Sequence, residues 1–223
     1  MSEKIEVRTH MVSSTFINEA QLPEEVVDDL DEYLDDLLKN KDRKSHASKL
    51  VGQIQEGEQL TMDFDHPKLK RFMGIQSGLC LDYVRRYVEI SESGLFFRGR
   101  KIEVQPEEVW SVHSYAGDYN PLHDHYTASK QISELKPVND LTNASGEQDG
   151  FLHFIIDATG IKEVEMLKLV QQVSYKPEVG KILIFPSWCS HMVSPFKGEG
   201  ERRTVASNLN IKVHQDSNSI NKK

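Results

Sequence analysis

The stretch that decides the fold is residues 180–196, GKILIFPSWCSHMVSPF. Its apolar run, from Lys181 to Phe185, predicts a buried strand, and a proline ends that run because proline cannot donate to a sheet ladder. His191 follows within a short turn, and the glycine-rich KGEGE (197–201) then leads into another strand. Alternation in that strand places Arg202 and Thr204 on one face and Arg203 on the other.

Further strands are predicted on both sides of this stretch. They are short, β-branched or alternating, and are separated by Gly, Pro, Asn and Asp. The candidates are EVWSVHSYA (108–116), ASKQISEL (128–135), GFLHFIID (150–157), MLKLVQQVSY (166–175) and RRTVASNLNIKV (202–213). The second half of the chain is therefore strand-rich.

Helices are predicted in the first half of the chain. LPEEVVDDLDEYLDDLLKNK (22–41) begins with a proline and acids, ends with lysines, and has apolar residues at helical spacing. HPKLKRFMGIQSGLCLDYVRRYVE (66–89) is a second helical region, which Gly74 and Gly78 are expected to split. The opening alternation, KIEVRTHMV, predicts an edge strand. Helices followed by a run of strands indicate an α+β fold, with the helices outside a sandwich or barrel.

Composition excludes several classes of function. The chain has 223 residues and a formal net charge of −8, which argues against a nucleic-acid partner. No segment is long and apolar enough to span a membrane, and the charged N-terminus does not resemble a signal peptide. Two cysteines are too few for a disulfide framework. We therefore expect a cytoplasmic protein of one domain, residues 1–223, with a tail at 215–223.

A pair of histidines opens the strand-rich half, in NPLHDHYTASK (120–130). In an extended segment His123 and His125 point to one face, and Asp124 points to the other. The pair fits either two surface histidines or two metal ligands. His191 supplies a third imidazole, and Arg202 follows on the next strand. Three imidazoles beside a guanidinium suit a mononuclear metal with a dicarboxylate co-ligand, because a guanidinium donates a forked pair of hydrogen bonds.

The same residues resemble a known family, the 2-oxoglutarate and Fe(II)-dependent oxygenases, in their prolyl-4-hydroxylase-like branch and a microbial and phage subgroup. YAGDYNPLHDH is similar to the family's Y-x-x-G-x-x-Y-x-x-H-x-D, with spacings that differ by one residue. HMVSP and GERRT match H-x-V-x-P and G-x-R-x-S/T more closely. The resemblance covers about residues 110–211.

The resemblance implies a fold and an activity. The fold is a double-stranded β-helix, a jelly-roll or cupin-like barrel, over about 104–213, and residues 1–100 become a helical support region. The activity is hydroxylation of an unidentified substrate, with peptidyl proline as one candidate, coupled to decarboxylation of 2-oxoglutarate to succinate. Fe(II) and 2-oxoglutarate are the implied cofactors, with ascorbate as reductant.

The resemblance also implies residue roles. His123, His125 and His191 hold Fe(II), while Arg202, Thr204 and Tyr115 hold 2-oxoglutarate. Tyr119 and Trp188 belong to the pocket, Arg203 is the rival to Arg202, and Asp124 is an alternative carboxylate ligand if the segment bends. His125 stands where most of the family has Asp. A site of three neutral imidazoles also suits Zn(II) or Mn(II).

Two other functions fit the same residues. One is a cupin-like module that binds a metal or a small acid without oxidising anything. The other is a metal-dependent hydrolase or isomerase on the same barrel. The substrate, the oligomeric state and the pathway are not readable from the residues.

Overall fold

The computed structural model describes residues 5–12, 15–90, 100–124, 129–136, 148–157 and 170–214. Its helices are α1 (Glu24–Lys39) and α2 (Lys70–Ile90), with two 3-10 turns at Ala47–Lys49 and Pro67–Leu69. Its strands are β1 (Val7–Val12), β2 (Thr15–Gln21), β3 (Glu58–Thr61), β4 (Lys101–Ser114), β5 (Asn120–His123), β6 (Ser129–Lys136), β7 (Leu152–Asp157), β8 (Val170–Tyr175), β9 (Lys181–Phe185), β10 (His191–Val193) and β11 (Arg202–His214).

The strands form two antiparallel sheets. A seven-stranded sheet has the order β1-β2-β9-β6-β11-β4-β3, and a four-stranded sheet has the order β5-β10-β7-β8. Strands β9 and β11, which the opening stretch of sequence predicts, lie in the middle of the larger sheet, while β10 between them pairs with β5 and β7 in the smaller one. The chain thus changes sheets at the turn that carries His191.

Two hydrophobic cores lie on opposite faces of the larger sheet. One core packs α1 and α2 against residues such as Ile182, Ile184 and Val205. The other packs the smaller sheet against residues such as Leu183, Phe185 and Ala206. Consecutive strand residues alternate between the cores because successive side chains point to opposite faces. The layers are therefore helices, large sheet and small sheet, and the α+β prediction is confirmed.

The second helix corrects one expectation. Gly74 and Gly78 do not split it, since α2 runs unbroken from Lys70 to Ile90. Each glycine costs about 1 kcal/mol relative to alanine in a helix interior. Burial of Phe72, Leu79 and other apolar residues of this helix against the sheet outweighs that cost.

The first hundred residues contain more strand than expected. The opening segment forms a hairpin of β1 and β2, and β3 pairs with β4 at the opposite edge of the large sheet. The predicted strand at 166–175 is seen from Val170, and its first residues lie outside the described ranges, as does the tail at 215–223. No helix in the described ranges is long and apolar enough to cross a membrane.

Candidate metal centre and co-substrate cavity

Two of the three predicted ligands meet in the small sheet. His123 ends β5 and His191 begins β10, and the two residues are directly opposite each other in the antiparallel pairing. Their ring centroids are 4.3 Å apart and their planes are inclined by 49°. Residues 68 positions apart along the chain therefore present their imidazoles to one place.

Backbone carbonyls set the tautomer of both rings. Nδ1 of His123 lies 2.7 Å from the carbonyl oxygen of Pro121, and Nδ1 of His191 lies 2.8 Å from that of Cys189. A carbonyl oxygen only accepts, so Nδ1 must carry the proton in each ring. In a neutral imidazole the lone pair is then on Nε2, the nitrogen through which such a ring coordinates a metal. This donor set fits a divalent transition metal.

The surroundings of His191 are apolar. His191 is buried, and its ring centroid lies 5.2 Å from that of Phe185 and 5.9 Å from that of Phe154. Burial raises the pKa of the nearby Cys189 thiol to about 12, so this sulfur is protonated at neutral pH. A thiol binds metals as the thiolate. The observed contribution of Cys189 to this arrangement is its carbonyl oxygen, which accepts from Nδ1 of His191.

The third histidine cannot be placed. His125 lies outside the described ranges, and among the residues within them no three His, Cys, Asp or Glu side chains are grouped to hold a metal. Asp124 is exposed and follows the last residue of β5. The assignment of a third ligand thus remains a prediction.

A narrow cavity joins the histidine pair to the predicted anion anchor. Its lining includes His123, Arg202 and Thr204, together with the large-sheet residues Trp110, Val112 and Ala206. Arg202 and Thr204 are buried, and the guanidinium donates from Nη1 to Oγ1 of Thr204 at 2.9 Å. The cavity volume is about 30 Å³. Since that is roughly the share of one water molecule, a dicarboxylate needs side chains to move as it enters.

The rival arginine lies on the opposite face of β11. Arg203 is buried toward α1, where Nη1 donates to Asp31 and Asp35 at 2.8 and 2.9 Å. It also forms an ion pair with Glu201 at 3.0 Å. Arg203 is therefore held among three carboxylates and does not line the cavity.

The predicted aromatic residues lie outside the cavity. Tyr115 and Tyr119 are 39% exposed and Trp188 is 59% exposed, and none of them lines it. Burial and the nearby Glu201 raise the pKa of Tyr115. The geometry thus joins His123, His191, Arg202 and Thr204, and it leaves these three aromatics apart.

The cavity also has walls to which the sequence motifs assign no role. Gln59 of β3 and Asn120 of β5 line it, together with Leu50 and Val51 from the loop before β3. Isolated amides and short apolar pairs occur in most chains, so they gave no signal. Only the pairing of β3 with β4 brings Gln59 to this face of the sheet.

His123, which pairs with His191, thus lines the same cavity as the buried Arg202 and Thr204, the residues to which the resemblance assigns the metal and 2-oxoglutarate. Residues 108–208 match the family model described as "Putative 2OG-Fe(II) oxygenase". The match confirms the resemblance stated from the sequence and, with it, an enzyme that depends on Fe(II) and 2-oxoglutarate. No curated protein matches the chain in sequence.

Solved structures share the fold at low sequence identity. A prolyl-4-hydroxylase from Pseudomonas putida is 14% identical, with a TM-score of 0.55 over 87% of this chain and 91% of that one. A Trichoplax adhaerens prolyl hydroxylase, solved with a hypoxia inducible factor peptide, is 12% identical with a TM-score of 0.56 over 87% and 83%. HygX from Streptomyces hygroscopicus, solved with nickel, 2-oxoglutarate and hygromycin B, is 9% identical with a TM-score of 0.54 over 89% and 83%.

Proposed function

We propose that the chain hydroxylates a C–H bond of its substrate, with Fe(II) held by His123, His125 and His191. The co-substrate, 2-oxoglutarate, binds in the same cavity with its 5-carboxylate on Arg202 and Thr204. Peptidyl proline is the first substrate to test, because two proteins of similar fold are prolyl hydroxylases. The two sheets are proposed to form a double-stranded β-helix, and the protein is proposed to work in the cytoplasm.

One observation carries this proposal: a single cavity is lined by an imidazole and by a buried, hydrogen-bonded arginine–threonine pair. A dicarboxylate whose one end chelates a metal needs a fixed cation for its other end. Arg202 supplies it with planar donors, and Thr204 orients the guanidinium and adds a hydroxyl. The apolar side chains between the two ends match the methylene groups of 2-oxoglutarate.

The chain's residues bind and orient, while the metal supplies the oxidation. Bound Fe(II) couples the conversion of O₂ and 2-oxoglutarate to CO₂ and succinate with insertion of one oxygen atom into a C–H bond. Carbonyls of Pro121 and Cys189 keep the histidine protons on Nδ1, so that Nε2 would be the nitrogen that holds Fe(II). The phenylalanines around His191 exclude water from this side of the centre.

Succinate release tests the proposal without the true substrate. Purified protein is incubated with Fe(II), ascorbate and 2-oxoglutarate, and succinate is measured over time. We expect slow uncoupled turnover that Arg202→Ala abolishes while metal binding is kept. Arg86→Ala, which removes a surface arginine paired with Asp82, is the matched control and keeps turnover.

Ligand variants complete the test. We expect His191→Ala to lose both metal and succinate, and His125→Asp to keep activity, because a carboxylate at that position restores the usual ligand set of the family. Metal binding by the wild type with no succinate formed at any 2-oxoglutarate concentration would instead identify a cupin-like module that binds without oxidising.

A further inference from the structure

Two side-chain amides that line the cavity meet at one glycine. A Cβ built on Gly52 would lie 2.5 Å from Oδ1 of Asn120 and 2.5 Å from Nε2 of Gln59. The two amide atoms are therefore no farther apart than twice that distance. Gln59 is 4% exposed, and both residues line the cavity together with His123.

The segment that contains Gly52 is tied down over these amides. Gln53 exchanges backbone hydrogen bonds with Tyr119 at 2.8 and 3.3 Å, and the backbone N–H of Gln55 donates to Oδ1 of Asp118 at 2.8 Å. Residues Leu50 and Val51 line the cavity from the same segment. We call residues 50–53 the roof segment. A Cβ at position 52 would displace the ends of these two amide side chains, since a contact of 2.5 Å is shorter than atoms allow.

The amides lie at the end of the cavity opposite the arginine. Gln59, Val112 and Thr204 form a row across β3, β4 and β11, with side chains on one face of the sheet. Neighbouring strands are about 4.8 Å apart, so the outer two residues of the row are separated by about 10 Å. A five-carbon chain spans roughly 5 Å between its end carbons, and a hydrogen bond of about 3 Å at each end fills the remainder.

We propose that Gln59 and Asn120 bind the 2-oxo acid end of the co-substrate, and that Gly52 positions the roof segment above it. This inference rests on the proposed function. Amide N–H groups donate to carboxylate and keto oxygens without adding charge beside the metal. The cavity then holds one molecule by two different ends, with neutral amides near His123 and the cationic Arg202 with Thr204 at the distal end.

Ligand truncation separates the two ends. The probes are 2-oxoglutarate and 2-oxobutyrate, which keeps the 2-oxo acid group but lacks the distal carboxylate. Affinity is measured by calorimetry and by the rise in Tm with Mn(II) as the metal, so that no turnover is needed. We expect Gln59→Leu and Asn120→Ala to weaken both probes tenfold or more, as loss of a hydrogen bond to a charged group does. Arg202→Ala should weaken 2-oxoglutarate alone.

Different outcomes identify which idea fails. A wild type that binds Mn(II) but not 2-oxoglutarate removes the proposed function, and this inference with it. If the wild type binds 2-oxoglutarate and both amide variants bind it with an affinity within twofold of the wild type, this inference alone is overturned. Selective weakening of 2-oxoglutarate by Gln59→Leu also overturns it, because the amide would then serve the distal carboxylate. Should Gln59→Leu fail to fold, Gln59→Glu keeps the volume and is expected to repel the oxo acid while retaining the metal.

Gly52 is tested as a positioning residue. We expect Gly52→Ala to raise the KM for 2-oxoglutarate at least tenfold in uncoupled turnover while kcat changes less than twofold. Gly74→Ala is the matched control, because nothing lies within 4 Å of a Cβ at Gly74. An unchanged KM in Gly52→Ala, with its Tm equal to that of the wild type, would refute the role of the roof segment.

Discussion

Replacement of Glu201 by glutamine tests the buried network that flanks the anion anchor. Glu201 immediately precedes Arg202 and is 16% exposed. It accepts hydrogen bonds from Nδ1 of His113 and from Arg203, which is paired in turn with Asp31 and Asp35 of α1. The network therefore fixes the start of β11, where Arg202 lies, to the helical layer.

The size of the effect follows from the pKa of this carboxyl group. Burial favours the protonated form of Glu201, but hydrogen bonds from His113 and Arg203 outweigh it and lower the pKa from 4.5 to about 2. A lowered pKa in the folded state contributes stability that is present above the unfolded value and is lost as pH falls toward 2. At about 1.4 kcal/mol for each unit, the network contributes about 3 kcal/mol at pH 7 and about 1 kcal/mol at pH 3.

Urea unfolding of the wild type and Glu201→Gln at pH 7 and pH 3 measures this contribution. We expect glutamine to lower the free energy of unfolding by about 3 kcal/mol at pH 7 and by far less at pH 3. Glu58→Gln is the control, since Glu58 pairs with Arg43 at a 40% exposed side chain and such surface pairs contribute below about 1 kcal/mol. Equal losses at both pH values, or a loss no larger than that of Glu58→Gln, would refute the reasoning.

Three further predictions concern metal, backbone and pH. Chelation of the bound metal should lower the Tm of the wild type and leave that of His191→Ala unchanged, because a ligand stabilises only a state that binds it. Gly57→Ala should reduce soluble yield and Tm sharply, since its Cβ would lie 1.7 Å from the carbonyl oxygen of His113, whereas Gly74→Ala should not. Burial lowers the pKa of His153, so the free energy of unfolding should fall as pH drops below about 6.5. Urea unfolding between pH 7 and 5 should show a smaller decrease for His153→Gln than for the wild type.

Local patterns were enough for the parts of the fold that rest on a long periodic signal. The first helix is expected at 22–41 and runs from Glu24 to Lys39, because its apolar stripe packs on the sheet. Strand alternation also predicts that Arg202 and Arg203 point to opposite faces of the sheet, and the two side chains do so. In both cases the period of the helix or strand is enough to predict which side chains share a face.

Other parts depend on pairing that no local pattern contains. Strand β3 has four residues, EQLT, which are too few to show a period, and β10 has three. Gln59 reaches the cavity only because β3 joins the edge of the large sheet beside β4. Tyr115 matches the family motif by residue type. The turn from Tyr115 to Asp118, with Gly117 at a φ of 91°, nevertheless changes the direction of the chain before β5 begins. Motif spacing did not reveal that change of direction.

The charge of the proposed ligand set explains why the distal cation matters here. Three neutral imidazoles leave the full charge of a divalent metal, whereas a set with one carboxylate cancels half of it. A dianionic co-substrate then cancels half of the metal charge through one end and the charge of Arg202 through the other, so both ends of the cavity attract it. Neutral amides at Gln59 and Asn120 preserve this balance, because an acidic side chain there would compete with the co-substrate for the metal. The charge distribution along the cavity, from imidazole through amide to guanidinium, therefore selects a small 2-oxo diacid over a monoacid.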